Sequence, residues 1–336
     1  TDHAVIIGTV GSSEPFMYLH GHYDVVPAFA EAQYAPEIRD GSLYGRGASD
    51  MKSGVVAMLL AAVIHRDLGG AGQVRLVYVP DEESGGADGS ERMTELGLVD
   101  AAGCVGAIVG EPSFPNIWYA ARGAFTIEVT VSGRPAHVGL HYTGDSAFER
   151  AHEIIARLLS WQDTVATRKT GFSIEPEAAR SSVVLIGGTS GGGTNFNIVP
   201  DEFRFTIDRR PNPDEDYDDA KRELLDLLES FNGDHRMSID ILQDARPAGI
   251  PPDEPLLLSV RDNVTRTSGR HAPVSMCPGC LETRIYSQHG IPAVAYGPGP
   301  MSVMHAPDEH VPIANLLEAC TVYAAVLGET LGYQPA

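Results

Sequence analysis

Basic residues are scarce in this sequence: 24 Lys and Arg stand against 45 Asp and Glu, for a formal net charge of −21. Nucleic acids and anionic membrane surfaces are bound through basic patches and counterion release, so a chain this acidic is poorly suited to either. Cysteine is nearly absent as well. Cys104, Cys277, Cys280 and Cys320 are spread over 336 residues, which argues against a disulfide scaffold. No run approaches 18 uninterrupted apolar residues, so no transmembrane helix is expected. The opening Thr1-Asp2-His3-Ala4 shows neither the basic stretch nor the cleavage site of a secretory leader. Compositional bias toward disorder is missing too, and apolar residues at 43% suffice for substantial cores. What remains is a soluble, cytoplasmic protein of about two domains by length.

Short apolar runs alternate with helical patterns through the first third. Phe16 to Leu19, Val74 to Val79 and Val105 to Val109 read as buried strands. Between the first two, Ser53 to Asp67 (SGVVAMLLAAVIHRD) is apolar nearly all round, which predicts a buried helix with Asp50 or Ser53 as its cap. Strand, helix, strand, helix, strand implies an α/β layer with a mainly parallel sheet. From about Gly123 the pattern changes. Strands at 124–131, 183–186, 202–208 and 237–242, with helices at 146–161 and 216–231, follow the β-α-β-β-α-β order of a ferredoxin-like α+β unit. Gly187 to Gly193 (GGTSGGG) reads as a flexible turn between its middle strands. After Ala245-Arg246-Pro247 the α/β style returns, with a helix at 255–268 and a strand at 292–296. The expected organisation is a discontinuous α/β domain, 1–121 and 246–336, with a smaller domain, 122–245, inserted.

Open parallel sheets bind ligands at the carboxyl ends of their strands. Here the first strand runs into His20-Gly21-His22-Tyr23-Asp24, the second into Pro80-Asp81-Glu82-Glu83, and the third into Gly110-Glu111-Pro112. Asp50 precedes the buried helix. Any one of these acids alone reads as a helix cap or a solvated loop charge. Four coincidences at one sheet edge do not. Clustered carboxylates repel strongly away from bulk water, and a divalent metal, or a pair, is the economical compensation, since imidazole with carboxylates suits Zn²⁺.

The segments HGHYDVVP (20–27), GRGASDMKSG (45–54), PDEESGG (80–86) and GEPS (110–113) together resemble a family of zinc metallopeptidases. That family contains acetylornithine deacetylase, succinyl-diaminopimelate desuccinylase, aminoacylase-1 and glutamate carboxypeptidase. The resemblance continues through GRPAHVG (133–139), NIVPDEFRFTIDRR (197–210) and GIPAVAYGPGPMSVMHAPDEHVPI (290–313). It implies a zinc-peptidase catalytic domain and an inserted dimerisation or lid domain. It also implies two Zn²⁺ about 3.5–4 Å apart, one on His22 and Glu111, the other on Glu83 and His305, with Asp50 bridging. Co²⁺ or Mn²⁺ are possible substitutes. Asp24 would accept a hydrogen bond from the His22 ring and fix its tautomer. Glu82 would be the general base, taking a proton from a metal-bridging water and delivering it to the departing amine. His137 would reach the partner subunit's active site in a homodimer and stabilise the tetrahedral oxyanion.

Asn197, Arg209 and Arg284 stand where members of that family contact substrate; structural pairing is the competing role for each. His20 and Glu309 lie beside ligands and read as their supports. Cys277-Pro278-Gly279-Cys280 lacks a second cysteine pair and a thioredoxin-like context, so packing is its expected role over redox chemistry. The segment Gly279 to Arg284 (GCLETR) departs from the Gly-Gly-Thr-Asp-Ala-Arg type seen in many members. Only 21 residues precede His22, fewer than such members carry, so the sheet is expected to lack an edge. The function implied is hydrolysis of an N-acyl amino acid or small peptide-like amide. The alternatives are a dipeptidase or carboxypeptidase, an N-carbamoyl amidohydrolase, or a non-catalytic metal-binding dimerisation module.

Overall fold

A computed structural model describes residues 3–233 and 236–333. They divide into two units. One runs to Ala120 and resumes over Ala248–Cys277 and from Leu281; the other is Ala121–Pro247 with Pro278–Cys280.

The first unit is built on a mainly parallel sheet. Strand Phe16–His22 (FMYLHGH) is buried at every position, as an apolar strand covered on both faces must be. It pairs in parallel with Gln73–Val79 on one side and Cys104–Val109 on the other, setting His22 opposite Val79 and His20 opposite Val109. Ala293–Ala295 continues the parallel set beside Cys104–Val109, and Ile117–Ala121 follows antiparallel. Strand Ile6–Gly11 fills the edge expected to be missing, antiparallel to Gln73–Val79. Its residues are mostly exposed, so no alternation of buried and polar positions announces it in the sequence.

Helix Ser53–Asp67 has the expected bounds but not the expected surroundings. Ala57, Met58, Ala61 and Ala62 are buried, whereas Val56, Leu59, Leu60 and Ile64 are exposed. Neither Asp50 nor Ser53 caps it; Lys52 holds the cap position without a side-chain bond. Asp50 is turned to other partners, described below. The stretch Ala48–Asp67 has the length and apolar content to span a membrane, yet 61% of its most apolar 18 residues are buried inside the protein. It packs on the C-terminal helix Ile313–Leu331, an arrangement of core helices.

In the second unit the order is β-α-β-β-α-β. Strands Ala124–Ser132, Val183–Gly192, Glu202–Arg210 and Met237–Ala245 form one antiparallel sheet. Helices Ala147–Ala166 and Tyr217–Glu229 start at Ser146 and Asp216, whose side chains accept from the backbone N–H three residues on. Their apolar faces, including Leu158 and Leu224, bury against Phe125, Ile127, Phe205 and Ile207. The Gly187–Gly193 stretch is not simply a turn. Through Gly192 it is strand, with Ser190 opposite Phe205 and Gly192 opposite Phe203. An edge strand needs only backbone hydrogen bonds, so a glycine run pairs there despite its weak propensity.

Candidate metal centre

Three adjacent parallel strands end side by side, and their next residues carry the site. Phe16–His22 ends on His22 itself, Gln73–Val79 leads to Glu82 and Glu83, and Cys104–Val109 leads to Glu111. Asp50 arrives from the irregular segment before helix Ser53–Asp67, and His305 from the loop before strand His310–Pro312. Gly54 sets the approach of that helix: a Cβ there would lie 2.3 Å from the Gly110 carbonyl oxygen, next to Glu111. His305 itself takes φ 58°, in the left-handed region where non-glycine residues are uncommon.

Ligand atoms from His22, Asp50 and Glu111 lie within 4.8 Å of one another, and so do those from Asp50, Glu83 and His305. Asp50 belongs to both groups. Its Oδ1 is 3.1 Å from His22 Nε2 and its Oδ2 is 3.1 Å from His305 Nε2. Glu83 Oε2 is 3.0 Å from the same His305 nitrogen. On the far side of the His22 ring, Asp24 Oδ1 is 3.3 Å from Nδ1, while Asp24 Oδ2 accepts the Glu83 backbone N–H at 3.1 Å. Asp24 thereby ties one ligand candidate to the next.

The charge balance calls for a cation. Burial pushes the Glu111 carboxyl well above its ordinary range, and Asp50 and Glu82 push it further. Burial, with the nearby carboxylates of Glu282, Asp50 and Glu83, raises Glu82 to about 8. Hydrogen bonding to Asp50, with Glu83 beside it, lifts His305 to about 9 against the effect of burial. Burial opposes charge on both His22 and Asp50, yet Asp24 and Asp50 raise His22, while His22 and His305 lower Asp50. Buried Glu83 Oε1 and Glu111 Oε1 have no hydrogen-bond partner. Buried oxygens left without a donor are costly, and a divalent ion among two imidazoles and three carboxylates satisfies them. The residues present fit a metal.

Glu82 belongs to neither ligand group. His20 and Glu309 do not either. The His20 ring is clasped between the Tyr286 hydroxyl, 2.8 Å from Nδ1, and Glu282, whose other oxygen accepts from Ser90. Of this buried His20–Glu282–Ser90 set, only His20 reads from sequence as a support. Glu282 shows itself only as part of the divergent Gly279–Arg284 segment, and Ser90 gives no signal. Glu309 accepts from Arg46 and from three backbone N–H groups between Gly47 and Asp50.

The remaining candidates are placed as follows. Arg284 is buried in the first unit with Nη2 3.3 Å from Glu91 Oε1. In the second unit, exposed His137 caps the short helix Val138–Thr143, its Nδ1 accepting the Gly139 N–H at 3.1 Å. Asn197 is brought beside it, its carbonyl accepting the Val138 N–H at 2.9 Å. Arg209 is fully buried, held by Glu215 and by the Ser182 hydroxyl at 2.6 Å, which is the structural pairing named as its competing role. No cysteine enters either ligand group.

Parallel strand ends that supply His22, Glu83 and Glu111, joined by Asp50 and His305 from neighbouring segments, fit the class of the matching family, a metal-dependent amide hydrolase. Residues 18–329 match the model of Peptidase family M20/M25/M40, and the chain belongs to that family. It is 29% identical to the succinyl-diaminopimelate desuccinylase of Xanthomonas oryzae pv. oryzae, with 96% of this chain and 86% of that protein covered. It is 24% identical to a probable succinyl-diaminopimelate desuccinylase of Staphylococcus aureus, again covering 96% and 86%. Among solved structures it resembles an M20 family metallo-carboxypeptidase from Sulfolobus solfataricus, with TM-score 0.76, 17% identity, and 96% and 87% coverage. A tripeptidase from Staphylococcus aureus is similar at TM-score 0.74 and 22% identity, over 98% and 85% of the two chains. At these identities the structural likeness concerns the fold.

Proposed function

We propose that the protein hydrolyses the amide bond of an N-acyl amino acid or a small peptide-like substrate, in the manner of a deacetylase or desuccinylase. The observation that carries this reading is the pair of ligand groups sharing Asp50, with the uncommitted carboxyl of Glu82 beside them. His22, Asp50 and Glu111 would hold one Zn²⁺, and Asp50, Glu83 and His305 the other. Bound there, zinc supplies Lewis-acid polarisation of the scissile carbonyl and acidifies water for attack.

The chain's own groups do the rest. His22 Nδ1 donates to the Asp24 backbone carbonyl at 3.2 Å, with the Asp24 carboxylate 3.3 Å away, so Nε2 presents its lone pair toward the centre. Glu82 takes the proton of the attacking water and returns it to the amine nitrogen as the C–N bond breaks. His137, from a second copy of the chain in a homodimer, donates to the oxyanion of the tetrahedral intermediate. Asn197 and Arg284 contact the substrate, the guanidinium facing a carboxylate. The second unit serves as dimerisation and lid domain.

The names of these curated relatives, succinyl-diaminopimelate desuccinylases, favour an N-succinyl amino acid over a peptide. A panel of N-succinyl and N-acetyl amino acids, dipeptides and N-carbamoyl compounds, offered to zinc-loaded protein, tests this. Turnover confined to N-acyl amino acids is expected. Turnover confined to dipeptides or carbamoyl compounds would replace the substrate class, and silence across the panel with two ions bound would contradict the reading.

A further inference from the structure

We propose that Glu309 is a positioning residue that sets the separation of Asp50 and His305, and with it the affinity of the Asp50–Glu83–His305 group for its ion. The inference rests on the two-metal reading above and assigns the second ion's tightness to a residue outside both ligand groups.

One buried carboxylate gathers four donors. Its Oε1 accepts the backbone N–H groups of Ser49, at 2.9 Å, and of Asp50 itself, at 3.0 Å. Its Oε2 accepts Arg46 Nη1 at 2.6 Å and the Gly47 N–H at 3.0 Å. Both side chains of the Arg46–Glu309 pair are 1% exposed, so water offers no substitute partner. The Glu309 backbone carbonyl adds a bond from the Gly45 N–H at 3.1 Å.

His305 lies four residues before Glu309, on the same loop, and its side chain is 44% exposed. Packing therefore does little to hold that imidazole. Its place relative to Asp50 depends on how the loop is anchored, and Glu309 anchors the loop directly to the Asp50 backbone. The other ligand group differs. His22 and Glu111 stand at the ends of adjacent buried strands and owe their positions to the sheet. Asp50 is shared, so loss of the Glu309 carboxylate should loosen both groups, but more the one in which it frees His305 as well as Asp50.

Glu309→Gln keeps the size but turns an NH₂ toward Arg46 and the Gly47 N–H, donor against donor. The test is competition titration of Zn²⁺ into metal-stripped protein, resolving the two binding steps. The expected result is a loss of about 10–100-fold, the range for groups that orient ligands, at the step that His305→Ala also removes, and a clearly smaller loss at the other step. Equal weakening of both steps, or two wild-type steps, overturns the proposal, since a purely structural role predicts no selectivity. If Glu309→Gln fails to fold, Glu309→Asp decides. It keeps the charge beside Arg46 but is one methylene too short for the Ser49 and Asp50 amides, and the same selective loss is expected. A wild-type chain that takes up only one ion would overturn the two-metal reading beneath, a result distinct from the variant's.

Discussion

Glu82 and Glu83 are adjacent in the chain yet face different chemistry. Glu83 reaches His305 at 3.0 Å and its backbone N–H is tethered by Asp24, whereas Glu82 is raised to about 8 and joins no ligand group. Replacing Glu82 by Gln should therefore lower kcat by about 10²–10⁴-fold, the usual share of general acid–base catalysis, with metal content unchanged. Metal analysis beside steady-state kinetics checks this; lost metal with retained turnover would exchange the two roles. Asp50 offers one oxygen to each histidine, so Asp50→Ala should weaken both ions together, and two zinc ions still bound would remove its bridging role. Most of this centre was legible in the sequence because its residues directly follow apolar strand runs. His20 and Glu309 read as supports too, but their partners did not. Glu309 and Arg46 meet across 263 positions, and Glu282 meets His20 across 262, and no spacing rule reveals such pairs.

At the scale of elements, continuous apolar runs made the strands around Leu19, Val77 and Ile108 readable, since strands covered on both faces carry no polar alternation. The strand through Gly187–Gly192 was not readable, because its pairing is made by backbone alone. The outward face of helix Ser53–Asp67 misled for a related reason: Val56, Leu59, Leu60 and Ile64 are apolar but exposed, so composition overstated burial. The second unit depends on its helix faces packing on the sheet. Leu158, fully buried there, should cost about 2–5 kcal/mol on truncation to Ala, measured by denaturant unfolding. A loss below about 1 kcal/mol would mean that this face is not the unit's core.

For the whole molecule, the proposed homodimer makes a sharper prediction than a lowered rate. His137→Ala chains keep Glu82, and Glu82→Gln chains keep His137. If the histidine acts across subunits, mixing the two inactive variants under exchange conditions should restore activity through hybrid dimers. No recovery in mixtures shown to contain hybrids would withdraw the trans role. The acidic balance of the chain, −21 overall, agrees with a centre that gathers carboxylates and relies on cations from outside. If the shared-Asp50 cluster holds the ions that make amide hydrolysis possible, activity must follow zinc uptake. Metal-stripped protein is titrated with zinc while hydrolysis of an N-acyl amino acid is followed. No activity is expected at the start, followed by a rise to a plateau at two zinc ions per chain. Full activity in the stripped protein, or saturation of activity without zinc uptake, would contradict that role of the cluster.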